Sequence, residues 1–242
     1  MKHLLKTNWI LCVVLLLATS GCGNTASASE SNSDALTYIL PAPRLDSNVS
    51  VESALANRRS RRNFQDKPLS VEQLSQMLWA AYGITQPMPH SALRGGLRTT
   101  PSAGASFPLE IYVVIGNVTG IEPGVYWYDS ENHKIIRTID RDVRAELRNA
   151  ALGQAMLRDA PVTIVFTAVY ERITARYGER GRLRYVYMEI GHSAQNVYLQ
   201  AEALGLGTCA IAAFHDDRVS ALLQLPADEA PLYLMPVGYF YR

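Results

Sequence analysis

Apolar residues recur at three- and four-residue spacing through Leu74, Met77, Leu78 and Ala81, which places them on one face of a helix. Ser70 and Gln73 stand three apart at its start as a capping box, and Gly83 supplies its stop. The longest such pattern runs through Val186, Ile190, Ala194, Val197, Ala201 and Leu204, and it predicts a helix over 185–204 that Gly205 ends. Residues 51–57 and 217–223 suit shorter helices, and Asp140 can cap one that reaches Leu157. Apolar runs at 110–115 and 162–169 predict strands, with others at 209–214 and 232–241. Val125–Tyr128 and Lys134–Arg137 flank a polar turn and read as a hairpin. Residues 84–105, rich in proline, glycine and polar side chains, lack periodicity and read as one long loop; such loops tend to be functional. Helices and strands are interspersed, so the fold class is an α+β layered domain without internal repeat.

The first 22 residues follow a different rule. Lys2 and Lys6 form a basic start, Trp9 to Ala18 an apolar run, and Thr19-Ser20-Gly21-Cys22 a lipobox. The run is shorter than the roughly 20 apolar residues a membrane-spanning helix needs, so residues 1–22 read as a lipoprotein signal peptide. Cleavage before Cys22 would leave that cysteine to carry acyl chains at a membrane surface; ordinary secretion with cleavage nearby is the competing reading. Residues 23–36 are small and polar, too poor in apolar surface to repay ordering, and form a tether. Residues 37–242 then make one domain. The basic start has no twin arginine, so any cofactor would bind after an unfolded chain is exported, where nicotinamide nucleotides are scarce.

Composition removes several classes. A net charge of +1 gives no reason to expect nucleic acid. Cys12 leaves with the signal and Cys22 would be lipidated, so Cys209 stands alone and no internal disulfide forms. Gly191-His192-Ser193-Ala194-Gln195 lacks the final glycine of a hydrolase nucleophile elbow and lies in a helix. Gly205-Leu206-Gly207-Thr208 lacks the third glycine of a dinucleotide fingerprint and reads as a helix stop with tight packing. Glu189 and His192, one turn apart, have no further ligand partner and read as a helix-face pair, so no metal site is expected.

Two segments carry candidate chemistry. Arg58, Arg59, Arg61 and Arg62 surround Ser60, a set of guanidinium groups and a hydroxyl suited to a phosphate monoester; a solvated basic face fits the same residues. The loop 99–108 combines small side chains, hydroxyls and prolines ahead of a strand. Such a loop lets backbone approach a flat ligand, although a plain surface loop has the same composition.

In order, Arg58-Arg59-Ser60-Arg61-Arg62-Asn63-Phe64, Pro101-Ser102-Ala103-Gly104-Ala105-Ser106-Phe107-Pro108-Leu109-Glu110, Tyr187-Met188-Glu189-Ile190-Gly191-His192-Ser193-Ala194-Gln195-Asn196 and Ala203-Leu204-Gly205-Leu206-Gly207-Thr208 resemble the nitroreductase superfamily. The resemblance is closest to its SagB/ThcOx-type dehydrogenase branch and covers about residues 51–240. It implies a nitroreductase-like FMN-binding fold, a central mostly antiparallel sheet flanked by helices, in a homodimer with FMN at the subunit interface. By the same resemblance Arg58, Ser60 and Arg62 face the FMN phosphate and ribityl chain, and Arg59 lies near the ring's polar edge. Pro101, Ser102, Ala103 and Gly104 lie along the isoalloxazine, and Ala212 and Ala213 place backbone near N5. Relatives carry further basic residues after the last strand, a place that Arg242 alone would fill. Tyr177, Arg180 and Arg184 are candidates for the substrate side, and no residue is an obvious proton-transfer catalyst. The expectation is an FMN-dependent oxidoreductase acting on a small organic substrate, anchored at the cell envelope; its rival is a flavin- or small-ligand-binding lipoprotein without turnover.

Overall fold

The computed structural model describes residues 35–89 and 93–241. Cys22, the expected signal peptide and Arg242 lie outside the described residues, as does all of the tether except residues 35 and 36. The Leu36 carbonyl already accepts the Arg137 amide, and strand β1 (Thr37–Ile39) continues that pairing.

Strands β4 (Leu109–Ile115) and β7 (Val162–Val169) are buried along their whole lengths and pair with each other antiparallel. Around them the sheet runs β1, β6 (Lys134–Ile139), β5 (Gly124–Asp129), β4, β7, β9 (Glu229–Gly238), β8 (Gly207–Thr208), and every strand pairing is antiparallel. Successive side chains of a strand point to opposite faces, and β4 shows the result. Ile111, Val113 and Ile115 join one core with Leu74, Met77, Ile190 and Val197. Tyr112 and Val114 join another with Leu147, Leu157, Val219 and Leu223. Burying each such side chain is worth about 1.5–3 kcal/mol, so both faces of the sheet need helices. Helices α2 (Val71–Tyr82) and α6 (Val186–Ala203) cover the first face. Helices α3 (Arg144–Ala150), α4 (Met156–Asp159) and α7 (Asp216–Leu223) cover the second.

Helix α1 (Val51–Asn57) is capped by Ser50. The capping box of α2 is present, with the Gln73 amide donating to Ser70 Oγ at 3.2 Å and the Ser70 amide to Gln73 Oε1 at 3.0 Å. Helix α5 (Glu171–Tyr177) and a π-helical turn, Gly181–Tyr185, lead into α6.

Four expectations need correction. The stretch 84–105 contains a two-stranded hairpin, β2 (Ile84–Pro87) with β3 (Gly96–Arg98), and a 3-10 turn at Ala103–Ala105. Asp140 caps no helix, and the expected 140–157 helix is two, because Leu152 and Gly153 turn left-handed at φ 57° and 76°. Of the 209–214 strand, only Ile211 bridges the sheet, at Leu234. The final strand begins at Glu229 and ends at Gly238, beyond which Phe240 bridges Phe64.

Candidate functional site

Helix α6 connects the candidate segments. Its residues lie about 100° apart around the axis, at about 1.5 Å rise each. Glu189, Ser193 and Asn196 face α2 and the start of the 99–108 loop. The Ser193 hydroxyl donates to the Ala81 carbonyl at 2.6 Å, and Asn196 Nδ2 donates to the Thr99 carbonyl at 3.1 Å. Tyr198 faces the other flank. Between the two flanks runs an exposed stripe that includes Met188, His192 and Gln195.

On the Tyr198 flank sit the arginines. Arg58 closes α1 and lays its guanidinium over the Tyr198 ring, 5.3 Å from the centroid. Tyr198 Oη shares a hydrogen bond with Ser60 Oγ at 3.0 Å and accepts the Ala210 amide at 2.9 Å. Ser60 bridges Thr208 in parallel, and the Arg61 amide donates to the Thr208 carbonyl at 2.9 Å. The arginine segment and residues 208–210 are therefore one assembly. Burial pushes the Cys209 thiol up to about 11, and the positive charge of Arg62 opposes that rise. Arg59 turns back onto the Ala56 and Arg58 carbonyls. Ala212 and Ala213 are exposed, and the Ala213 carbonyl accepts Gln154 Nε2 at 2.8 Å. Gly207 must be glycine for this packing, since a Cβ there would stand 2.7 Å from Arg61 Cβ.

On the other flank sits the loop. Pro101 is exposed and Ala103 half-buried. Ser102 Oγ donates to Glu189 Oε2 at 2.6 Å and accepts the Phe107 amide at 2.9 Å. Gly104 is left-handed at φ 59°, and a Cβ there would stand 2.5 Å from Tyr177 Oη. Tyr177 packs edge-on against Tyr185, and Arg180 Nε donates to Tyr185 Oη at 2.9 Å. Tyr177 and Gly104 are thus neighbours, while Arg180 is joined only through Tyr185 and Arg184 is exposed without a described contact to the loop.

Sequence reasoning missed Glu189 as a site residue. It is 2% exposed and also accepts Tyr82 Oη at 2.6 Å. Burial lifts its carboxyl to about 7 against the lowering by Ser102, Tyr82 and Arg98. His192, one turn on, is exposed, and among the described residues it makes no hydrogen bond or ion pair with Glu189. The signal was present: 189 falls in phase with the buried positions 186, 190, 193 and 197, a charged residue where an apolar one is expected.

A cavity of about 410 Å³ between residues 44–51, α2 and α6 is lined by Trp79, Gln76, Asn196 and Leu199, among others. It reaches the loop only at Thr99 and includes none of residues 58–62. Cavity shape in one chain therefore does not mark the arginine cluster. Among the described residues no group of His, Cys, Asp or Glu could hold a metal ion, and no helix is long and apolar enough to cross a membrane.

This architecture, an antiparallel sheet between helical layers with a guanidinium cluster and a small-residue loop flanking one helix, is of the nitroreductase type. The chain belongs to the nitroreductase family, whose model matches residues 55–239, and it is an oxidoreductase of that family. It is 47% identical over 190 residues to a Methanocaldococcus jannaschii protein named for the nitroreductases, covering 78% of this chain and 91% of that one. A crystal structure of a nitroreductase-like protein from Ralstonia eutropha superposes with a TM-score of 0.72 at 27% identity, over 85% of this chain and 90% of the other. A chain of the Escherichia coli microcin synthetase McbBCD complex, solved with truncated pro-MccB17 bound, superposes at 0.63 with 25% identity, over 85% and 79%.

The family generally binds flavin, and the donor set fits FMN. None of Arg58, Arg59, Arg61 and Arg62 is ion-paired among the described residues. Arg61 Nε and Thr208 Oγ1 are buried without a hydrogen-bond partner. A dianionic phosphate would balance the unpaired charge.

Proposed function

We propose that this protein is an FMN-dependent oxidoreductase that moves hydride or electrons between a small organic substrate and an acceptor, in the SagB-type dehydrogenase branch. The observation that carries the reading is the unpaired arginine cluster fastened to residues 208–210 by Tyr198. Likeness to a chain of the microcin synthetase complex supports the branch.

Arg58, Ser60 and Arg62 would hold the phosphate and ribityl chain, with Arg242 as a further cation. Arg59 and the backbone of Ala212 and Ala213 would meet the ring on the same flank. Pro101, Ser102, Ala103 and Gly104 would lie along the isoalloxazine. When bound, FMN supplies two-electron chemistry at N5; the chain supplies placement and positive charge. Tyr177 beside Gly104 would border the substrate, with Arg180 and Arg184 further out.

The two flanks of α6 face different ways, so one chain presents two half-sites. Pairing of two chains through the stripe that holds Met188, His192 and Gln195 would set one chain's arginines against the partner's Ser102. That homodimer is part of the proposal. So are the lipid anchor at Cys22, an envelope location, and oxygen or a membrane quinone as acceptor.

The test is purified protein. Bound FMN, bleaching by a donor and recovery by oxygen or a quinone are expected. A colourless protein that takes up no added FMN overturns the reading, and a yellow one that no donor bleaches supports a flavin-binding lipoprotein without turnover instead.

A further inference from the structure

We propose that Ser102 and Glu189 form a proton relay, in which the Ser102 hydroxyl takes a proton from the substrate while passing its own to the carboxylate behind it. This rests on the oxidoreductase reading above, in which Ser102 lies along the ring.

Ser102 Oγ donates to Glu189 Oε2 at 2.6 Å and accepts the Phe107 amide at 2.9 Å, which leaves one lone pair. Glu189 Oε1 accepts Tyr82 Oη at 2.6 Å. The groups that face this carboxylate are Tyr82 from α2, Ser102 from the loop and Arg98 from β3. Arg98 forms no ion pair with it; the guanidinium bonds the Tyr82 and Arg94 carbonyls and the Ser130 hydroxyl, and lies over the Tyr82 and Phe107 rings. His192 of the same helix is on the exposed side. A buried carboxylate that accepts from two hydroxyls, with Arg98 nearby but no ion pair, is costly as structure alone, and such groups concentrate at functional sites.

The hydrogen bonds allow two states. Ionised Glu189 accepts from both hydroxyls. With the proton on Oε2, that oxygen donates into the free lone pair of Ser102 Oγ, the Phe107 amide bond stays, and the Ser102 hydrogen turns outward. No bond is lost in the exchange. Its carboxyl lies near 7 through burial, so both states are populated at neutral pH.

The relay suits a substrate with an acidic C–H beside a hydride-bearing carbon, as in a thiazoline ester. Bound FMN would supply the two-electron acceptor for the C5 hydride, and the C4 proton would go to Ser102 Oγ as the Ser102 proton passes to Glu189. The C4–C5 double bond of the thiazole forms. Glu189 acts through Ser102 and is a positioning residue; Ser102 is the group that touches substrate.

The test uses full-length protein in detergent, its E189Q and S102A variants, and two donors. Infrared titration with 13C-labelled glutamate is expected to show a carboxyl changing near neutral pH that E189Q lacks. S102A should move it to higher pH, because the ionised form loses a donor. E189Q should slow flavin bleaching by a thiazoline ester about 100-fold or more and remove its rise through neutral pH. A benzyl dihydronicotinamide gives up hydride without a proton, so E189Q should slow its bleaching far less than that by the thiazoline ester, since no proton transfer is removed. A carboxyl silent between pH 5 and 9, one that S102A leaves unmoved, or a thiazoline profile unchanged in E189Q overturns the relay. Failure to bind FMN instead overturns the functional reading, and the infrared arm still decides whether the two residues are coupled. If E189Q does not fold, the S102A shift decides.

Discussion

The two flanks of α6 are built on opposite principles. Around Tyr198, half-buried and exposed arginines are held by a cation–π contact and backbone bonds, and among the described residues their charge has no ion-pair partner. Around Glu189, the carboxylate and the Tyr82 and Ser102 hydroxyls are hydrogen-bonded to one another or to backbone, and the carboxylate is buried without a direct ion pair. The first flank carries charge that no acidic group among the described residues balances; the second holds its charge among its own hydrogen bonds. Substitutions on the first should therefore change ligand affinity and spare the fold, and those on the second should change stability as well as chemistry.

The largest effect is expected on the arginine flank. The double variant R58A/R62A should weaken FMN binding by about 3–6 kcal/mol, since each charge-assisted hydrogen bond is worth about 1.5–3 kcal/mol. Thermal unfolding without FMN should stay within about 1 kcal/mol of wild type, because neither arginine is ion-paired and only the Arg58 contact with the Tyr198 ring is lost. Titration of FMN into both proteins, read by flavin fluorescence, checks it; equal affinities place the phosphate elsewhere.

Next comes the Glu189 carboxyl, whose raised position is also a statement about stability. Burial lifts it from 4.5 to about 7, so the folded protein binds this proton more tightly than the unfolded chain. The stabilisation is complete below about 4.5 and is lost as pH rises through about 7, a change of about 3 kcal/mol. His133 works the other way in the adjoining range, since burial lowers it from 6.5 and stability falls as acid protonates the unfolded imidazole. Comparing E189Q with wild type isolates the carboxylate. Urea unfolding at pH 5 and pH 8 should show a loss in wild type that E189Q lacks; parallel pH dependences would place the carboxyl in water.

What the sequence made legible follows the reach of each interaction. The α2 capping box and the apolar phase of α6 are local, and both stand where the spacing put them. The β2–β3 hairpin was hidden because Thr85, Gln86 and Pro87 carry no apolar alternation, and its close approach depends on Gly96, where a Cβ would meet the Gln86 carbonyl. The split between α3 and α4 was hidden because a non-glycine, Leu152, turns left-handed. In the site, the guanidinium cluster was visible as composition, yet its fastening to Thr208 and Ala210 is a contact across more than a hundred residues. Glu189 was visible in phase, but its partners lie on α2 and the loop, which periodicity along one helix does not name.

Gly104 sharpens the contrast at smaller scale. Its φ of 59° suits glycine, and a Cβ would also stand 2.8 Å from Arg176 Nη1. G104A should cost about 1–3 kcal/mol of stability, the range for a non-glycine held left-handed. The effect should appear in protein without FMN as a lower Tm, unlike that of R58A/R62A; an unchanged Tm would show that the loop relaxes freely.

The smallest effect is expected where the two flanks meet, at Tyr198. Removing its hydroxyl in Y198F deletes the bonds to Ser60 Oγ and the Ala210 amide and keeps the ring under Arg58. A hydrogen bond contributes about 0.5–1.5 kcal/mol net, and Ser60 is exposed enough for water to replace its partner. The Ala210 amide, half-buried, is the part that loses. About 1 kcal/mol of stability should go, with FMN affinity falling less than in R58A/R62A because the charges remain. Hydrogen exchange at the Ala210 amide should accelerate in Y198F and stay unchanged in R58A/R62A. Were both variants to free that amide equally, the arginines would be part of the fold's internal bonding, and the contrast between a ligand-completed flank and a self-completed one would fail.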